Sequence, residues 1–351
     1  SECWDLYKEK LTRELPDFQI AESRIDDYRS AVMAFADFSG DKAVTDVTPD
    51  DIKRFRDECW KEPKQPKHKV KSLPFYERLR EAERLGLPTV SGATIRNKLK
   101  HLSALFEAMI DTPDTGLTSN PAREVKPPAL SKKKAPPEYQ YHELERIFGS
   151  DWFSSLSPTK RADYGEAPFW LPIVMYYTGA RLNEVAALDV SDVETVQGVL
   201  CFRFREGGEK RLKNVASARD VPVHDDLKSL GLLEYVQSLD SGERLWPKLR
   251  QNRDGEFGAG LSKRWADFIS KQGLKRREVK PSHGFRHTFI TGLRNKGVGE
   301  EVIGVLCGHS QTSQTSEYGS YNLEFLKATI QHLDTIPHFE RLREVAGKGR
   351  R

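Results

Sequence analysis

Ile25, Tyr28, Val32 and Phe35 recur at intervals of three and four, which places them on one face of a helix. Thr48-Pro49-Asp50-Asp51 reads as a helix start, with a hydroxyl cap, proline in the first turn and acids at the positive end of the dipole. Lys61 to Ser72 (KEPKQPKHKVKS) has prolines and lysines without an apolar period and reads as a basic loop. A longer helix follows, with Ile95, Leu99, Leu102, Phe106 and Met109 on one face. The pattern breaks at Asn120-Pro121 and at the stretch from Pro127 to Pro137, where prolines and a lysine run end helix and favour extended, solvated chain. Beyond it, Tyr141 to Phe148, Phe169 to Tyr177 and Leu182 to Leu188 read as helices. Val199 to Arg205 alternates as a strand does, with Arg219 to His224 as its partner across a Gly- and Lys-rich turn. Helical patterns resume at Leu227, Leu261, Phe285, Glu300 and Leu323. The prediction is a mainly α chain with a small antiparallel β-sheet: a helical domain over 1–127, a linker over 128–137 and an α-dominated domain over 138–345.

Composition narrows the class. With 37% hydrophobic and 31% charged residues among 351, the chain has enough apolar content to fold and a heavily solvated surface. Its longest apolar stretch, Phe169 to Tyr177, contains a proline and is too short to span a bilayer. No apolar segment of secretory type follows the charged start. Cys3, Cys59, Cys201 and Cys307 lack CxxC pairing and fit reduced thiols, so a cytoplasmic location is expected.

The formal net charge of +4 conceals an uneven distribution. Residues 1–60 carry 9 basic and 15 acidic side chains, residues 61–110 carry 11 and 5, and residues 261–300 carry 10 and 3. Two separated basic blocks suit two surfaces meeting one polyanion, although ordinary solvated faces would give the same count. The candidate phosphate contacts are Lys67 and Lys69 in the first block, Arg96, Lys98 and Lys100 on the polar side of the long helix, and Lys275, Arg276 and Arg277 in the second.

Three local patterns carry candidate chemistry. The first is Thr178-Gly179-Ala180-Arg181-Leu182-Asn183-Glu184, the second His283-Gly284-Phe285-Arg286-His287, and the third Gly308-His309 with Tyr318 nine residues later. Arginine is always charged and forks onto phosphate oxygens, histidine moves protons near neutral pH, and tyrosine supplies a nucleophilic oxygen. Simpler readings exist for each. Arg181 could merely pair with Glu184, and His283 with His287 has the spacing of a metal-binding helix, although no further ligand is suggested. Tyr321 is a rival nucleophile at a different spacing.

In order, spacing and position, TGxRxxE, HxxRH and GH followed by tyrosine resemble the tyrosine recombinase, or phage integrase, family. The resemblance covers nearly the whole chain and implies a helical core-binding domain and a catalytic domain forming a clamp around double-stranded DNA. It implies Arg181, His283, Arg286 and His309 around one DNA phosphate, Tyr318 as the nucleophile forming a 3′-phosphotyrosyl bond, and Glu184 as support for Arg181. It also implies a lysine in the turn before the Arg-x-Val-Pro strand. Lys213 fits that place, and Lys210 is the alternative. No metal, cofactor or ATP is implied, and the working unit would be a homotetramer exchanging strands through a Holliday junction. Phe285 and Cys307 depart from the leucines common in the family. A DNA-binding regulator without catalysis and a monomeric type IB topoisomerase are the alternatives. The segment Leu323 to Leu333 would pack either on a neighbouring protomer or on its own core.

Overall fold

The computed structural model describes residues 2–13, 22–113, 115–129, 137–154, 163–208, 210, 217–276, 279–309 and 321–348. The chain forms two compact units, Ser1–Lys132 and Lys133–Arg351.

The first unit is helical: α1 (Glu2–Arg13), α2 (Glu22–Ser39), α3 (Pro49–Glu58), α4 (His68–Lys71), α5 (Phe75–Arg84) and α6 (Gly92–Ile110). The start of α3 is a reciprocal cap in which Asp51 N–H donates to Thr48 Oγ1 at 3.2 Å and Thr48 N–H donates to Asp51 Oδ2 at 2.9 Å. Ile95, Leu99, Leu102, Phe106 and Met109 of α6 are all buried and meet Val32, Phe35, Ile52, Phe55 and Phe75. The segment expected to be a basic loop contains α4, because Val70 is buried among its lysines and gives that turn an apolar anchor. Helix α5 was not expected, yet Phe75, Leu79 and Ala82 recur at four and three and are its buried face.

The second unit contains α7 (Tyr141–Phe148), α8 (Asp151–Ser154), α9 (Ala167–Thr178) and α10 (Leu182–Ala186), then β1 (Val193–Val196), β2 (Val199–Phe204) and β3 (Arg219–Pro222). It continues with α11 (Asp225–Ser229), α12 (Leu232–Gln237), α13 (Ala259–Lys271), α14 (Pro281–Asn295), α15 (Glu300–Cys307), α16 (Leu323–Ile330) and α17 (Phe339–Lys348). The sheet is antiparallel in the order β1-β2-β3, with Val193 opposite Phe202 and Phe204 opposite Arg219. Strand β1, absent from the sequence expectation, is half-exposed and has no fully buried position to mark it. Every residue of α9 is buried, as expected of a helix apolar on all sides, and it packs against α10 and α14. Leu326, Ile330 and Leu333 are buried in the unit's own core, so this stretch follows the second of its two readings, while Phe325 stays exposed. No helix among the described residues is long and apolar enough to cross a membrane.

Candidate active site

The turn between α9 and α10 delivers Arg181. Gly179 ends α9 at φ +62°, and a Cβ there would lie 2.5 Å from the Phe289 ring, so backbone and space both require glycine. Arg181 then caps α10. Its backbone N–H donates to Glu184 Oε2 at 2.9 Å, and its Nη1 bonds Glu184 Oε1 and, at 3.3 Å, Ser217 Oγ. The simple pairing of Arg181 with Glu184 is therefore real, but it is not the whole arrangement. Arg219 Nη2 also donates to Glu184 Oε2 at 2.9 Å. Burial acts to raise the Glu184 pKa, and the Arg219 charge with the Arg181 N–H outweighs it, so the carboxyl is held below its usual range.

Arg286, on α14, is buried and its guanidinium joins separate parts of the chain. Nη1 donates to Gly179 O and Nη2 to Cys307 O, both at 2.7 Å. The second motif thus bonds directly to the backbone of the first and to the residue just before Gly308-His309. His283 lies one turn before Arg286 on the same helix and is exposed. His309 follows Gly308, which ends α15 at φ +64°, and is likewise exposed. The pKa of each imidazole is lowered. Partial desolvation acts first, then Lys280, Arg286, His287 and Arg181 around His283, and Arg286, Arg181 and Arg219 around His309, where Glu300 opposes.

These shifts predict a definite pH dependence for the binding of a phosphate anion such as DNA at this site. Both imidazoles titrate below their ordinary value of 6.5 in the free protein, and a phosphate anion bound beside them would favour the charged form. Binding therefore takes up protons, and affinity should increase as pH falls through the region around and below 6.5, then flatten at higher pH. Folding stability runs the other way over the same window, because the unfolded chain holds the protons more tightly. Fluorescence anisotropy on a core-site duplex at constant ionic strength measures the effect. His283→Gln and His309→Gln should each flatten the profile, and profiles unchanged in both variants would contradict it.

Lys213, Arg277 and Tyr318 lie outside the described residues. Lys210 is described, and its Nζ sits 2.8 Å from Asp189 Oδ2 and donates to Asp192 Oδ1 and Oδ2 at 3.0 and 2.8 Å. Burial acts to lower its pKa, but the two carboxylates outweigh this and the net direction is upward. An ammonium caged in this way is a poor proton donor, which favours Lys213. Lys213→Met should slow cleavage by about 10²- to 10⁴-fold and recover on a 5′-bridging phosphorothiolate duplex, whose thiolate departs without a proton. Recovery by Lys210→Met instead would reverse the assignment. Tyr321, the rival nucleophile, donates its hydroxyl to Glu301 Oε2 at 3.4 Å and stacks on Phe325. Slight desolvation and Glu301 raise its pKa, the wrong direction for a nucleophile.

The expected phosphate contacts divide by environment. Lys67, Lys69, Lys100 and Lys275 are exposed. Lys98 lies 2.5 Å from the buried Glu62 carboxylate, which Arg78 also holds, and Arg96 Nη2 donates to Pro128 O at 2.7 Å. Arg276 Nη2 donates to Glu143 Oε2 and Glu138 O, both at 2.7 Å. Lys98 and Arg276 are thus matched by buried carboxylates rather than directed at a ligand.

Arg219 and Ser217 were not singled out from sequence. Arg219 served only as a landmark in Arg-x-Val-Pro, and a charged residue beside Asp220 near the start of a short strand gave no sign of a buried cation.

Arg286, held against two backbone carbonyls, and Arg181, held on Glu184 and Ser217, both act on two exposed imidazoles, an arrangement chemically suited to a phosphate. Residues 171–324 match the model described as the phage integrase family. Tyrosine recombinase XerC of Listeria innocua is 26% identical over 241 residues, 68% of this chain and 75% of that relative. Tyrosine recombinase XerA of Thermococcus kodakarensis is 27% identical over 217 residues, 60% and 65% of the respective chains. In fold, the chain is similar to a lambda integrase solved as a tetramer bound to a Holliday junction (TM-score 0.57, 15% identity, 89% of this chain and 78% of that one). It is similar also to the Tn1549 transposon integrase in complex with transposon right end DNA (TM-score 0.55, 17% identity, 94% and 99%). Residues 171–324 therefore carry a phage integrase family domain, and the chain as a whole is similar to tyrosine recombinases.

Proposed function

We propose that this protein is a site-specific DNA recombinase that cuts and rejoins strands through a covalent tyrosine intermediate. The observation that carries the reading is Arg286, whose side chain bonds Gly179 O and Cys307 O and so ties its own motif to the glycine turn before Arg181 and to the helix end that leads into His309. In the proposed reaction, Tyr318 Oη attacks the phosphorus, a phosphorus–oxygen bond forms to tyrosine, and the bond to the 5′ oxygen breaks. The departing oxygen takes a proton from Lys213. Rejoining is the reverse, with a 5′ hydroxyl as nucleophile and Tyr318 as leaving group. One phosphoester is exchanged for another, so the step requires no external energy source. Arg181 and Arg286 neutralise the non-bridging oxygens as charge builds in the transition state, and His283 and His309 donate hydrogen bonds or move the tyrosine proton.

Double-stranded DNA is the proposed partner, gripped through the exposed Lys67, Lys69, Lys100 and Lys275 by phosphate contacts that weaken with salt. Four copies on two sites, working in the cytoplasm through a Holliday junction, form the proposed assembly. Integration or excision of a viral or mobile element is the proposed role. The test is a nicked suicide duplex carrying the attachment sequence. A denaturation-resistant adduct supports the reading, and its absence overturns it. Relaxation of supercoils without exchange between two sites would favour a topoisomerase.

A further inference from the structure

Resting on the recombinase reading, we infer that Arg219 is a positioning residue that balances the buried Glu184 charge and so leaves the Arg181 charge available to the DNA phosphate. Glu184 and Arg219 are almost wholly buried, with side chains 4% and 5% exposed, whereas Arg181 is 20% exposed and sits at the surface of the site. The Glu184 carboxylate divides its oxygens. Oε1 takes Arg181 Nη1, and Oε2 takes the Arg181 backbone N–H and Arg219 Nη2. Without Arg219, one buried carboxylate would face one arginine, and the pair would be neutral where a phosphate must bind. With Arg219, the cluster of two arginines and one glutamate retains a positive charge, and the exposed arginine is the one a ligand can reach.

The other bonds of Arg219 show that its place is built. Nε donates to Leu306 O at 2.8 Å, Nη1 donates to Ser217 O at 2.7 Å, and the guanidinium lies 4.4 Å from the Phe204 ring centroid. A Cβ on Gly308 would come within 2.8 Å of Arg219 Nη1, so the glycine before His309 makes room for this side chain. Arg219 therefore touches the glutamate of the first motif, one end of the lysine turn, and the helix end that leads into His309. Its charge is also among those that depress the His309 pKa.

The inference separates charge from scaffolding. Adduct formation on the suicide duplex is measured at saturating DNA for Arg219→Met, Arg219→Lys, Glu184→Gln and the double variant Arg219→Met/Glu184→Gln. Arg219→Met should slow the step by about 10- to 100-fold, as expected when a neighbouring charge is cancelled in a poorly screened site. Adding Glu184→Gln to it should recover most of that loss, and Arg219→Lys should lose far less than Arg219→Met. A double variant no faster than Arg219→Met, or Arg219→Lys as slow as Arg219→Met, would overturn the inference and leave only scaffolding. NMR titration of His309 without DNA gives a reading independent of catalysis. Its pKa should rise in Arg219→Met and stay low in Arg219→Lys, and an unmoved titration in Arg219→Met counts against the inference. Absence of a wild-type adduct would remove the recombinase reading itself, and the His309 titration would then decide the charge balance alone.

Discussion

Tyr318→Phe is expected to abolish the covalent adduct while leaving DNA affinity within about twofold, because the substitution removes one hydroxyl and no phosphate-binding charge. Without the phenolic oxygen no phosphotyrosyl bond can form, and the remaining site offers only activated water. Residual strand cleavage should fall to the background of a site that binds phosphate but lacks a nucleophile, at least about 10³-fold below wild type. Denaturing gel analysis of a suicide duplex measures the adduct, and anisotropy measures affinity on the same DNA. An undiminished adduct would shift attention to Tyr321, although its bond to Glu301 and its stacking on Phe325 hold it in another environment. Tyr321→Phe should form adduct at the wild-type rate, which completes the discrimination.

The candidate reacting groups stand out in the sequence because they are tied to short local patterns. TGAR needs its glycine for a left-handed turn, and Gly308 needs its own for the same reason at the far end of α15. Helices α2, α3 and α6 were legible from period and capping, since their buried faces are apolar at regular spacing. What the pattern hid was polar burial. Lys98 was read as a phosphate ligand because it lies on the charged side of α6, yet the carboxylate it meets belongs to Glu62, outside that helix. Arg276 was read from a basic run, while its partner Glu143 comes from α7, 133 residues away in sequence. Arg219 belongs with these, since its partners Glu184, Leu306 and Ser217 come from three parts of the chain. Periodicity reports what a side chain avoids, namely water. It does not report which distant group will meet a charge.

Arg286 carries the other large expected effect. Two of its N–H groups are committed to Gly179 O and Cys307 O, which leaves the rest of the fork for a ligand. Arg286→Lys keeps a charge but replaces the fork with a single ammonium that cannot reach both carbonyls and a phosphate together. Adduct formation should fall by about 10²- to 10³-fold, the usual loss when one preorganised donor to a developing oxyanion is removed. Arg286→Ala should be worse on two counts. It removes the charge, and it strands two carbonyls at a cost of about 1–3 kcal/mol each, so the protein should melt at a lower temperature. Comparing the two variants separates the effects, because the lysine retains one carbonyl bond and most of the stability. Binding should weaken far less than cleavage in Arg286→Lys, since a single guanidinium is one of many phosphate contacts but acts mainly as charge builds in the transition state. Equal losses in binding and cleavage would place Arg286 in ground-state DNA recognition instead.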